Sequence, residues 1–205
     1  RQMCIRDRRK DYEIILNLIP ENSKVLDIGC SDGELITYLE NKGISAQGVE
    51  LNQEKVIKCL EKGLDVIHGD INLIVGDFPF NQFDYCLLTQ TIQAVQEPDQ
   101  LLNTLKKVSK NIIVSFNNSA RLSKISNFLL TGSFDSLLKK ANSDHWYNTD
   151  YIHPCSIKDF KKLATDLDLK IISTFDVLSQ KKFENGKIPS NLFCKEVLFH
   201  ITNEQ

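Results

Sequence analysis

Val25-Leu26-Asp27-Ile28-Gly29-Cys30-Ser31-Asp32-Gly33 reads as a buried strand that runs into a glycine turn, and the pattern from Glu34 onward opens a helix. Three chemistries compete for such a turn. A dinucleotide fingerprint G-x-G-x-x-G needs small residues at positions 31 and 34, but position 34 is Glu, a poor neighbour for a pyrophosphate. Gly29 to Gly33 also spells G-x-S-x-G, which would make Ser31 an acyl-enzyme nucleophile. A hydrolase of that kind supplies an upstream strand and loop for its oxyanion hole, and here a single helix-like segment precedes the motif. The third reading includes Asp27 and looks further along the chain.

Glu50 ends the next apolar strand, Ala46 to Glu50, near the offset at which a carboxylate reaches both hydroxyls of a ribose. Gly69-Asp70-Ile71 follows a third short run, Asp65 to His68. There Asp70 is placed to accept an adenine amino group while Ile71 covers the ring. Carboxylates at all three strand ends repel phosphate and match donors. The ligand they fit has an adenine, a ribose and a cationic tail, and no phosphate.

Around these strands the periods alternate. Tyr12, Ile15, Leu16 and Ile19 form one helical face stopped at Pro20. Glu34 to Lys42 and Gln53 to Lys62 are helical, ended by Gly43 and Gly63. Phe83 to Thr89 is a strand, a helix starts near Pro98 with Leu101, Leu102, Leu105 and Val108 on one face, and Asn111 to Phe116 is a strand. This alternation predicts an α/β fold, a mostly parallel sheet with helices on both faces. Ser156 and Asp159 make a capping box for a helix with Phe160, Leu163, Ala164 and Leu167 inside. Leu169 to Val177 and Asn191 to Ile201 are expected to pair antiparallel, bringing the sheet to seven strands. Residues 117–155, with one helix-like segment at Leu122 to Leu130, are expected to form a lid or insert. One domain over residues 8–205 is expected, with 1–7 a disordered or artefactual start.

The chain has 205 residues with 25 Lys+Arg, 27 Asp+Glu and a formal charge of −2. That balance disfavours nucleic acid and anionic membranes as partners. Cys4, Cys30, Cys59, Cys86, Cys155 and Cys194 are scattered, with no C-x-x-C and no His at metal-ligand spacing, so no metal is expected and the cysteines read as reduced thiols of a cytoplasmic protein. The apolar runs fall short of a membrane span. Pro154-Cys155 sits too far from the fourth strand to read as a methyltransferase nucleophile, so packing is the expected role of Cys155.

Asp27 to Gly33, Glu50, Gly69-Asp70 and Phe83-Asp84-Tyr85, in this order, resemble the Rossmann-like class I S-adenosylmethionine-dependent methyltransferases over about residues 9 to 201. More specific are Leu88-Thr89-Gln90-Thr91-Ile92-Gln93-Ala94-Val95, Val114-Ser115-Phe116-Asn117-Asn118, and Trp146-Tyr147-Asn148-Thr149 with Ile152-His153 and Cys155. Together with the opening turn they are similar to the MetW family of methionine biosynthesis. Asn118, Asn148, Asp150 and Tyr151 depart from its usual pattern.

The resemblance implies S-adenosylmethionine or S-adenosylhomocysteine as cofactor, with Asp27, Gly29, Cys30, Gly33, Glu50, Leu51, Asp70, Ile71 and Gln90 around it. It also implies homoserine O-acyltransferase as the partner that the family activates. Tyr147 and His153 are lid candidates, and no acceptor base stands out. The alternative is a methyltransferase acting on a small molecule under that lid.

Overall fold

The computed structural model describes residues 9–133, 153–184 and 186–203. Helix α1 (Lys10–Leu18) stops where expected: Ile19 is already extended at ψ 121°, as the residue before a proline is driven to be. After it come β1 (Lys24–Ile28), α2 (Glu34–Asn41), β2 (Ser45–Glu50), α3 (Gln53–Glu61), β3 (Val66–His68), the short α4 (Ile71–Ile74), β4 (Phe83–Thr89), α5 (Pro98–Val108) and β5 (Ser109–Asn117). Both α2 and α3 end in the same way. Ile44 N–H returns to Leu39 O at 3.0 Å, and Leu64 N–H to Cys59 O at 3.1 Å, across the glycines that stop each helix.

Helix α6 (Leu122–Thr131) buries none of its side chains, whereas α7 (Ile157–Asp166) starts on the expected capping box. In that box Asp159 N–H donates to Ser156 Oγ at 3.2 Å and Ser156 N–H to Asp159 Oδ2 at 3.1 Å. The remaining strands are β6 (Lys170–Asp176), β7 (Lys181–Glu184) and β8 (Glu196–Thr202).

The sheet order is β3-β2-β1-β4-β5-β8-β6-β7, with every pair from β3 to β5 parallel. Strand β8 inserts antiparallel between β5 and β6. The expected antiparallel pairing of the last two long strands is therefore present, but among the described residues the sheet has eight strands instead of seven. The extra one is β7, four residues of Lys-Lys-Phe-Glu at the sheet edge. Its brevity and charge, which suit an edge strand, also hid it in the sequence.

Successive residues of the central strands enter opposite cores. Leu26 and Ile28 of β1, Cys86 and Leu88 of β4 and Ile112 and Val114 of β5 pack with α5 and α7, whose Leu101, Leu105 and Phe160 are buried with them. Val25, Leu87, Ile113 and Leu198 face the other way, onto Ile15 of α1 and Leu35, Ile36 and Leu39 of α2. Every β1-to-β5 crossover leaves its strand at the carboxyl edge, which collects all the chemistry-bearing ends in one place.

Candidate functional site

The turn after β1 is left-handed at Gly29 (φ +74°), Ser31 (φ +53°) and Gly33 (φ +76°). Gly29 N–H donates to Val49 O at 2.8 Å, which ties the turn to the end of β2. A Cβ on Gly29 would stand 2.7 Å from Thr91 Oγ1, and one on Gly33 would collide with Leu64 Cδ1, so both positions need glycine for space as well as for φ. The side chain of Cys30 is buried in the α1/α2 core, and burial pushes its thiol pKa up. Only its backbone is available to a ligand.

Glu50 is 7% exposed and receives a backbone N–H on each oxygen: Ser31 N at 2.9 Å on Oε2 and Asn52 N at 2.8 Å on Oε1. These bonds fix the carboxylate while leaving each oxygen a second lone pair. Leu51 beside it is 65% exposed, an open apolar side chain at the rim. Asp70 caps α4, taking Asn72 N–H and Nδ2 on Oδ1 at 2.9 and 2.8 Å. Ile71 is 8% exposed and belongs to the α5/α7 core, so it lies deeper than a cover for a ring was expected to lie. His68, which drew no notice in the sequence, donates from Nε2 to Leu51 O at 3.0 Å and steadies that rim.

Asp27 is 1% exposed, and its Oδ1 has no hydrogen-bond partner among the described residues. Burial raises its pKa to about 7, opposed by the Arg9 guanidinium and reinforced by Asp11 and Glu50. An orphaned carboxylate oxygen inside a protein is costly, and such groups collect where a ligand is handled.

Gln90, immediately after β4, is also left-handed at φ +58° without being glycine. Its Nε2 donates to Glu196 Oε1 at 2.7 Å, its Oε1 accepts from Asn117 Nδ2 at 2.7 Å, and its backbone N–H donates to Ser115 O at 2.9 Å. Sequence reasoning named Gln90 but not this support. It also missed Arg9 and Asp11. Arg9 Nε and Nη2 reach Asp11 at 3.1 and 2.5 Å, and Ser115 Oγ donates to Asp11 Oδ2 at 3.0 Å. A signal was present: Asp11 sits one helical turn before Ile15, inside the apolar stripe, where a charge demands a partner.

Of the lid candidates, Tyr147 and the rest of Trp146-Tyr147-Asn148-Thr149 lie outside the described residues. His153 is held by the turn after β4: its N–H donates to Gln93 O and its Nε2 to Gln96 O, both at 3.0 Å. Burial pushes the Cys155 thiol up to about 12, so it packs as a neutral group. The departure at Asn118 has a local reason. Its Nδ2 donates to Asn191 O at 2.7 Å and Cys194 O at 2.9 Å, and its own N–H to Lys195 O, a bond that proline cannot make.

The family described as "Methionine biosynthesis protein MetW" matches residues 9–201, from the Arg9 that faces Asp27 to Ile201 of β8. This chain belongs to the MetW family. A curated MetW relative, the "Bifunctional methionine biosynthesis protein MetXA/MetW" of Rhodopirellula baltica, is 30% identical over 94% of this chain. The chain spans 33% of that relative's length. Solved structures share the fold: an S-adenosylmethionine-dependent methyltransferase from Mesorhizobium loti superposes with a TM-score of 0.69 at 12% identity, covering 96% of this chain and 99% of that one. The cyclase SpnF superposes with a TM-score of 0.61 at 18% identity, over 84% of this chain and 60% of that one. The MetW chain thus has a methyltransferase fold, and no helix among its described residues is long and apolar enough to cross a membrane.

Proposed function

We propose that this MetW-family chain binds S-adenosylmethionine at the carboxyl ends of β1, β2, β3 and β4 and, in the cytoplasm, acts as partner and activator of homoserine O-acyltransferase. The observation that carries the cofactor half is the buried Asp27 oxygen left without a donor among the described residues, beside the fixed carboxylate of Glu50. Carboxylates with spare lone pairs suit hydroxyl and ammonium donors and oppose phosphate. The bound cofactor would supply an activated methyl group on a sulfonium. Glu50 would hold the ribose hydroxyls. The remaining Asp70 oxygen would take the adenine amino group, with Leu51 against the ring and Ile71 filling the core beneath. The backbone of Gly29, Cys30 and Gly33 would line the amino-acid end, with Gln90 opposite.

The partner half draws on the Rhodopirellula baltica relative, whose name joins MetXA and MetW in one bifunctional polypeptide. Two activities fused in one chain meet at high effective concentration, an advantage for partners that act together. The fold leaves methyl transfer optional, since SpnF is named as a cyclase. A second reading, methyl transfer to a small molecule, is favoured by neighbours named as methyltransferases.

An acyltransferase assay with and without this chain, and with and without S-adenosylmethionine, tests both halves. We expect stimulation that depends on the chain and is lost in Asp27→Ala and Glu50→Ala proteins that remain folded. Stimulation unchanged in both variants, with no cofactor binding by calorimetry, would leave the cleft without a role in the partnership. Turnover of a methyl acceptor without any stimulation would decide for the second reading.

A further inference from the structure

Asp27, Thr89, Ser115 and Glu196 share the sheet face that packs against α1, as their register with Leu87 and Leu198 requires. The start of α1 lies across them through the Arg9–Asp11 pair, which Ser115 anchors. Among the described residues, the charged groups facing Asp27 are Arg9, Asp11 and Glu50, and those facing Glu196 are Asp11, Arg9 and Lys195. Tyr12 and Cys30, also beside Asp27, are held neutral by burial. Arg9 is bonded to Asp11 and stacked over Tyr12 at 4.6 Å, so the guanidinium that both carboxylates see among the described residues is already paired. Among the described residues the cluster carries more negative charge than its cations offset, and Asp27 Oδ1 has no partner.

We propose that Asp27 and Glu196 make this site read the charge at the ligand's sulfur, favouring the cationic sulfonium of S-adenosylmethionine over the neutral thioether of S-adenosylhomocysteine. The inference rests on the cofactor reading above and assigns Glu196 to the specificity of that site. The two molecules differ by a methyl group and one positive charge, and the charge is felt strongly where water is largely excluded. Glu196 acts also through geometry, since its bond to Gln90, together with Asn117, fixes the Gln90 amide. Burial raises both carboxyls to about 7, so a cation should draw protons off them as it binds. A protein with this selectivity responds to the methyl donor itself and not to the spent product.

Isothermal calorimetry on the whole chain tests this with S-adenosylmethionine, S-adenosylhomocysteine and sinefungin, an analogue with an amine cation in place of the sulfonium. At about pH 7.5 both cationic ligands should bind about tenfold more tightly than S-adenosylhomocysteine, with proton release seen as buffer-dependent heat, and the advantage should shrink toward about pH 6. Glu196→Gln, which keeps an oxygen for Gln90, should weaken the cationic ligands about tenfold and leave S-adenosylhomocysteine within about twofold, whereas Asp27→Asn should weaken all three ligands and the cationic ones most. If either variant fails to fold, the wild-type ratio and its course with pH decide. Equal affinities for the three ligands, or a preference for S-adenosylhomocysteine, overturn this proposal alone. No binding of any of the three overturns the cofactor reading with it.

Discussion

The chain leaves β1 through Gly29 at φ +74° and leaves β4 through Gln90 at φ +58°, two left-handed turns side by side at the carboxyl edge. They touch, because Thr91 of the second turn occupies the space that a side chain on Gly29 would need. The first turn reaches its conformation by residue type. The second holds an ordinary side chain in a disfavoured region by bonding both ends of its amide, to Glu196 and to Asn117. A glycine turn is a local property, whereas the Gln90 turn exists only once β5 and β8 are in place.

The largest effect should come from removing the glycine. Gly29→Val adds a β-branched side chain where φ is positive and Thr91 stands in the way, and should destabilise by about 4 kcal/mol, read as a shift of the urea midpoint at constant slope. Gln90→Ala, which strands Glu196 Oε1 and Asn117 Nδ2, should cost about 3 kcal/mol. Gln90→Gly loses the same bonds but relaxes the backbone, so it should be the more stable of the two by about 1 kcal/mol. An alanine variant as stable as the glycine variant would show that the second turn is not strained.

Each turn also has a raised carboxyl beside it, Asp27 at the first and Glu196 at the second, both near 7. Their stabilising protonated forms are complete below about pH 4 and are lost as pH rises through about 7, so over that window these two groups should make the ligand-free chain progressively less stable. Asp27→Asn should flatten that slope and raise stability by about 2 kcal/mol at about pH 8, followed by thermal unfolding across pH. The smallest change is expected where the turns meet. Thr91→Val keeps the shape but removes the hydroxyl that donates to Ile28 O at 3.0 Å and Thr89 O at 3.1 Å, for about 1 kcal/mol.

What could be read in advance follows the same division. Asp27, Gly29, Gly33 and Glu50 were legible because their types and spacing within a strand, turn and helix already encode the geometry. Glu196 is 106 residues from Gln90, and its role comes from β8 inserting beside β5, which no local pattern specifies. Arg9 and Asp11 were passed over because a short charged start looks solvated until Ser115 is placed against it. The sequence places Ile71 beside Asp70 but not its burial, which comes from the core cluster it joins.

By itself the sequence determined the alternation of strands and helices, the parallel half of the sheet, the glycine turn and the family, because hydrophobic period and residue type act over a few neighbours at a time. Only the tertiary structure decided the eighth strand, the support beneath Gln90 and the acidic cluster under α1. Those depend on which strands become neighbours, and on burial that turns distant charges into interacting ones.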